Sequence, residues 1–398
     1  MSADRAVTGC PDSVLSAEAE RWEKTVAVNR AVPPAIRSRQ ELIERGIAFP
    51  SPPLATTALP ISADGVTYEM AQQLTWLDAD HFVVGRWDGS MSIFKFVDSA
   101  VSGPLISESV ASPAFQGVRM LARLPRHSFA SSNNESSIAL WYAGDGGWPD
   151  LRPGGTYDYD PSLGVATGAR AVQAGTSTLV VGHTSGHLSI WDHDPIRRRL
   201  RFLRAVDVRN PAPVNPWGLH DVHSIAIVSD SPTKARILAG SEDGYVSIVE
   251  IPSGGILSQT VFNPQAQRGI NSVSVTGDKL LVANCSVGSS DHNLWYFSID
   301  PTTWQITLRG QANLIVDTNR PQAFNFATIW AAYSDGPCWF ASTEEGALWM
   351  GTIDPTSGIN IIGYQEVTSP LGSTLGYAPD PGRLVMVAYD LYEYTTGA

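Results

Sequence analysis

One pattern recurs along most of this chain and leaves few folds open to it. Six segments share a plan: an apolar strand ending in a small residue, a short polar turn, and a second apolar strand. They are HFVVGRWDGSMSIFKF from His81, SFASSNNESSIALW from Ser128, LVVGHTSGHLSIWDHD from Leu179, ILAGSEDGYVSIVEIP from Ile237, LLVANCSVGSSDHNLWYFSID from Leu280 and CWFASTEEGALWMGTID from Cys338. A seventh, RLVMVAYDLYEY from Arg383, is degenerate. The copies stand about 50 residues apart, a period that marks repeat architectures. Continuous apolar runs such as Phe82-Val83-Val84 and Leu179-Val180-Val181 suit strands buried on both faces. The small residues that follow (Gly85, Ser131, Gly182, Gly240) allow close backbone approach. Asp-Gly, Ser-Gly and Glu-Gly turns are hairpin signals.

A further short strand precedes each hairpin: QQLTWL from Gln72, GVRMLARL from Gly117, ARAVQAG from Ala169, DVHSIAIV from Asp221, INSVSV from Ile270, FATIWAAY from Phe326 and STLGYAP from Ser373. An outer strand follows several of them. Four strands per repeat is the architecture of a propeller blade. On these repeats, and on Ser189-Ile190-Trp191-Asp192 with its Trp-Asp signature, the chain resembles the WD40-like β-propeller superfamily over residues 55–398. The resemblance implies an all-β, seven-bladed β-propeller of four-stranded antiparallel blades. Other copies end in Phe96, Trp141, Val249, Phe297 or Met350, and the Gly-His dipeptide and Asp-His-Ser/Thr-Trp network of regular repeats are not evident. The member is divergent. Its last repeat stops after three strands, and residues 55–61 are the candidate fourth strand that closes the ring.

The N-terminal part differs. Residues 16–32 are rich in helix formers, with Ser16 as N-cap. Pro33-Pro34 interrupts them, a second short helix is expected over 35–45, and Pro50-Ser51-Pro52-Pro53 reads as a linker. The expected domains are therefore a helical arm over 1–53 and the propeller over 54–398. The chain is 43% hydrophobic and 17% charged, which is globular rather than disordered. A formal charge of −12 argues against a nucleic-acid partner held by phosphate contacts. The basic run Arg197, Arg198, Arg199, Arg201 and Arg204 reads as a solvated strand or loop. Three isolated cysteines lack metal or disulfide spacing. With no signal-peptide shape and no membrane-length apolar window, the expectation is a cytoplasmic protein without a membrane partner, monomeric unless bound through its arm.

Chemistry-bearing patterns are few. There is no nucleophile elbow and no phosphate loop, no cofactor is implied, and no catalytic residue is assigned. His183, His187, His220 and His223 cluster in sequence and are the metal candidates, although the spacing forces no convergence. Asp158 and Asp160, each after a tyrosine, fall in a Gly/Pro-rich insertion over 143–168. Trp148 and Trp217, each beside a proline, are expected either to anchor a partner or to pack on the chain itself. Aligning the inner strands places Gln73, Arg119, Arg170, His223, Asn271, Thr328 and Ser373 around the channel mouth, where arginines favour carboxylate or phosphate. The function expected is a non-catalytic scaffold that recognises a protein or acidic peptide. The alternative is an enzyme or anion-binding propeller using the mouth, with a metal at the histidines.

Overall fold

The structure is a computed structural model. It describes residues 55–58 and most of 71–395. Residues 1–54 and 59–70, and shorter stretches of which 110–116, 263–268, 315–325 and 367–373 are the longest, lie outside the described residues. The helical arm expected over 1–53 falls there.

Strand β1 (Ala55–Ala58) comes first. The next set is β2 (Ala71–Trp76), β3 (His81–Arg86), β4 (Ser90–Val97) and β5 (Ala100–Ser109). It is followed by β6 (Leu121–Leu124), β7 (Ser128–Asn133), β8 (Ser137–Gly144) and β9 (Gly147–Asp158). Then come β10 (Ala166–Val172), β11 (Thr178–His183), β12 (His187–Asp194) and β13 (Arg199–Asp207). The following set is β14 (Ser224–Ser229), β15 (Ala235–Gly240), β16 (Tyr245–Ile251) and β17 (Gly255–Val261). Next are β18 (Ile270–Thr276), β19 (Lys279–Val287), β20 (Leu294–Ile299) and β21 (Ile306–Ala312). After these stand β22 (Phe326–Asp335), β23 (Cys338–Thr343), β24 (Ala347–Asp354) and β25 (Gly358–Glu366), and the chain ends in β26 (Thr374–Ala378), β27 (Arg383–Val387) and β28 (Asp390–Thr395).

Each set pairs antiparallel in chain order. Among the described residues five sheets have four strands; the sixth has eight, because β19 runs on to pair Cys285 with Thr328 in β22. The last set is completed from the other end of the chain, with Ala55 opposite Glu393 and Ala58 opposite Asp390. First strands touch in succession from β2 through β6, β10, β14, β18 and β22 to β26, and β26 touches β2. The circle is closed.

The continuous apolar runs follow from this stacking. Leu179 and Val181 of β11 pack with Met120, Ala130 and Leu140 of the preceding sheet. Val180, between them, packs with Ile225, Ile237 and Val249 of the following one. A strand with a sheet on either side has no solvent face, so alternation disappears. The same holds at β15, where Leu238 joins Val273, Leu280 and Trp295 while Ile237 faces back. The apolar cores lie between consecutive sheets.

One expectation is corrected. The stretch over 143–168 is not a loop insertion: it holds outer strand β9, a 3-10 turn over Pro161–Leu163 and the start of β10. An outer strand tolerates Pro149 and Pro153 because its outer edge needs no ladder donors, and register shifts at Leu140/Trp141 and Ala143/Gly144 absorb the irregularity. Asp160 accepts from the backbone N–H of Ser162 as the cap of the 3-10 turn, and Tyr159 is buried. Trp148 is buried and donates to Asp78 at 2.7 Å, so it packs on its own chain. Burial raises the Asp78 pKa, but His81, the Asp80 backbone and Trp148 outweigh it and hold the carboxyl at about 2. Trp217 lies outside the described residues.

Candidate functional site

First strands begin, and second strands end, at the same rim of the ring: Ser224 of β14 lies opposite Gly240 of β15. The turn from β15 to β16 and the connection from β13 to β14 therefore meet there. Asp243, in that turn, is fully buried. Its carboxylate accepts from the Asn210 backbone N–H at 2.9 Å, His220 Nδ1 at 2.8 Å, the Tyr245 N–H at 3.2 Å and the Ser241 hydroxyl. The Asn210 side chain donates to the Asp243 carbonyl. Asn215 bridges Glu242 and Leu219 by donating to both carbonyls. One buried carboxylate thus ties down both ends of the connection from 208 to 223. A charged acceptor with several N–H and O–H donors is the way such burial is tolerated.

A partly exposed charged cluster stands beside this anchor. Arg119, just before β6, reaches Asp221, just before β14, at 3.3 Å. The intervening sheet is that of β10–β13, so the contact runs over its inner strand. His223 Nε2 donates to Glu242 Oε1 at 3.1 Å, and the Glu242 N–H donates to the Asp221 carbonyl at 2.8 Å. On the neighbouring sheet Asp207 binds Arg209 at 2.5 Å and faces His187 at 3.9 Å. The Arg209 hydrogen bond, acting against some burial, holds Asp207 at about 2.

The seven expected mouth residues stand at different levels. Opposite the small residue ending each second strand lie Gln73, Leu121, Gly168, Ser224, Ser272 and Ala331. Of the expected set Gln73 alone is at that level. Arg119, His223, Asn271 and Thr328 precede it on their strands, and Arg170 lies beyond it, opposite Val180, donating to the Ala169 carbonyl. Asn271 is buried within the shift between Ile270 and Ser272. Thr328 pairs with Cys285. Ser373 lies outside the described residues. The structure brings Arg119 and His223 to one cluster through Asp221 and Glu242.

The four histidine candidates go to separate partners. His183 Nε2 meets the Ser189 hydroxyl at 2.7 Å, and its ring lies edge-on to Tyr159. His187 lies beside Ser185 and Asp207, His220 binds Asp243, and His223 binds Glu242. Among the described residues no three His, Cys, Asp or Glu side chains gather as a metal site would need. Burial pushes His183 and His193 down to about 4 and Tyr159 up to about 12. Asp221, Glu242 and Asp243 were not singled out in the sequence, where the SEDG tetrapeptide reads only as a turn.

No protein-family model matches the sequence, and no curated protein does. Solved structures do. The chain is similar to the Myceliophteria thermophila Cps50 (Swd1) β-propeller domain, with 14% identity and a TM-score of 0.59, over 87% of this chain and 99% of that one. The fold is a β-propeller. A computationally designed protein, Ika8, is also similar, with 13% identity and a TM-score of 0.51, over 82% and 83% of the two chains. The His220–Asp243–Ser241 bonds join the connection before β14 to the turn after β15. In the preceding blade Trp191 is buried and donates to Ser189 at 2.8 Å, while Asp192 pairs with Arg201.

Proposed function

We propose that this seven-bladed propeller is a non-catalytic interaction scaffold that receives a protein or acidic peptide at the rim beside Asp243. The eight-stranded sheet counts here as two joined blades. The observation that carries the reading is the Arg119–Asp221 contact, a single hydrogen bond at 3.3 Å between partly exposed side chains. A carboxylate arriving from solvent can take over the guanidinium in the bidentate geometry Asp221 does not use. His223 and Glu242, bonded to each other, border the same contact. The Asp243 anchor keeps the connection above them in place, so ordering costs little on binding.

The arm over 1–53 is proposed as a separate segment, and a cytoplasmic setting is supported by Cys338, a buried free thiol. No described helix is long and apolar enough to cross a membrane. The test is a pull-down from the source cell with the full chain, repeated with Arg119→Ala and with His223→Ala. The partner recovered by the native chain should be lost or reduced about tenfold in both. Equal recovery by all three proteins removes the rim from consideration.

A further inference from the structure

We infer that the outer wall over β13, β17 and β21 docks an extended acidic segment of another protein that carries large apolar side chains. This surface is distinct from the rim: the turn from β12 to β13 lies at the opposite end of the ring. Among the described residues five large apolar side chains are exposed, and four are here: Ile196 at 75%, Phe202 at 45%, Ile256 at 41% and Leu308 at 46%. Scattered apolar residues on a surface need no explanation. These are not scattered.

Phe202 pairs with Trp191, Ile256 with Val249 and Leu308 with Phe297, each immediately after a register shift in its blade. The three positions are equivalent in three successive blades. The shift leaves one unpaired residue on each outer strand. In two blades that residue is a leucine, Leu203 and Leu257, which packs inward on the core. Its neighbour, Phe202 or Ile256, is left half-exposed, with the Phe202 ring edge-on to Trp191. The result is a row of apolar groups at one level of the wall.

The charge beside the row is opposite to that of the chain. The hairpin of β12 and β13 holds five arginines against three aspartates, while the whole chain carries −12. Two of those aspartates, Asp192 and Asp194, are engaged by Arg201 and Arg197. Arg199 is exposed and has no ion-pair partner among the described residues. Arg309, bonded to the Ser298 hydroxyl at 2.8 Å, marks the far end of the row next to Leu308. An acidic segment with apolar side chains complements both features. A flat anionic bilayer does not: two steps round a seven-bladed ring turn the wall through roughly 100°, so a plane cannot touch all three blades while a flexible chain can follow them.

The experiment uses the full chain and two synthetic peptides, one alternating glutamate with leucine and phenylalanine, the other with lysine in place of glutamate. Fluorescence anisotropy should show binding of the acidic peptide alone. Phe202→Ser, Leu308→Ser and Arg199→Glu should each weaken it about tenfold, with thermal midpoints establishing that each variant is folded. Leu308→Ser lies two blades from Phe202→Ser, so one failed fold leaves the other variant to decide. No binding of the acidic peptide to the native chain overturns the proposal, as does equal binding by all variants. Loss in Arg119→Ala with none in the wall variants also overturns it and leaves the rim reading standing. Binding to phosphatidylserine vesicles, lost in the wall variants, with no peptide binding, overturns it in favour of lipid.

Discussion

Single residues set the acid limit of this fold. His183 and His193 are buried in one blade, each with a serine hydroxyl as neighbour, at 2.7 and 3.4 Å. Burial disfavours the imidazolium and lowers both to about 4. In the unfolded chain a histidine titrates near 6.5. Between those values the unfolded state holds protons that the folded state lacks, so stability falls as pH falls. Each histidine contributes a loss of about 1.4 kcal/mol per pH unit across that window, roughly 3 kcal/mol by pH 4. Carboxylates such as Asp78, held at about 2, lose their contribution only below pH 4. Urea unfolding at a series of pH values should show a decline beginning near 6.5, and His193→Gln should halve its slope. A flat profile from pH 7 to 5, or an unchanged slope in the variant, contradicts this account.

At the scale of the element, the small residue ending each second strand is a contact point between blades. A Cβ on Gly182 would lie 2.6 Å from the Val222 carbonyl oxygen, and that carbonyl is held by the Thr167 hydroxyl at 2.9 Å. Backbone so fixed cannot yield. Gly182→Ala should therefore cost about 2 kcal/mol, measured by chemical denaturation, with Gly363→Ala, where a Cβ meets open space, within about 0.5 kcal/mol of the native chain. Equal costs would mean that the blades do not approach as closely as described. These small residues were visible in the sequence because each ends an apolar run, and the runs were visible because a strand between two sheets has no polar face. Strand β9 was not visible, since Pro149, Pro153 and three glycines mark a loop anywhere but at an outer edge. The anchor at Asp243 was hidden for a different reason. A turn aspartate and a histidine 23 positions earlier carry no local signal that they bond.

For the whole molecule the decisive feature is closure. Residues 55–58 complete the last sheet against β28, as the truncated final repeat required. A chain starting at residue 62 should melt several degrees below one starting at residue 51, because it leaves β28 as an open edge and separates the two ends of the ring. Equal midpoints would show that the clasp contributes nothing. The Arg119–Asp221 contact stands at the start of the inner strands and Phe202, Ile256 and Leu308 on the outer strands, so each can be altered without touching the other.

The cores between blades have one more consequence. No repeat answers to a common centre; each has only to fit the two that flank it. Substitution can then proceed by local accommodation, a larger side chain on one sheet met by a smaller one next door, with the outline preserved throughout. Such a shape does not depend on a strict repeat: a buried tryptophan stands at Trp191 in one blade and Val249 at the equivalent place in the next, and both pack.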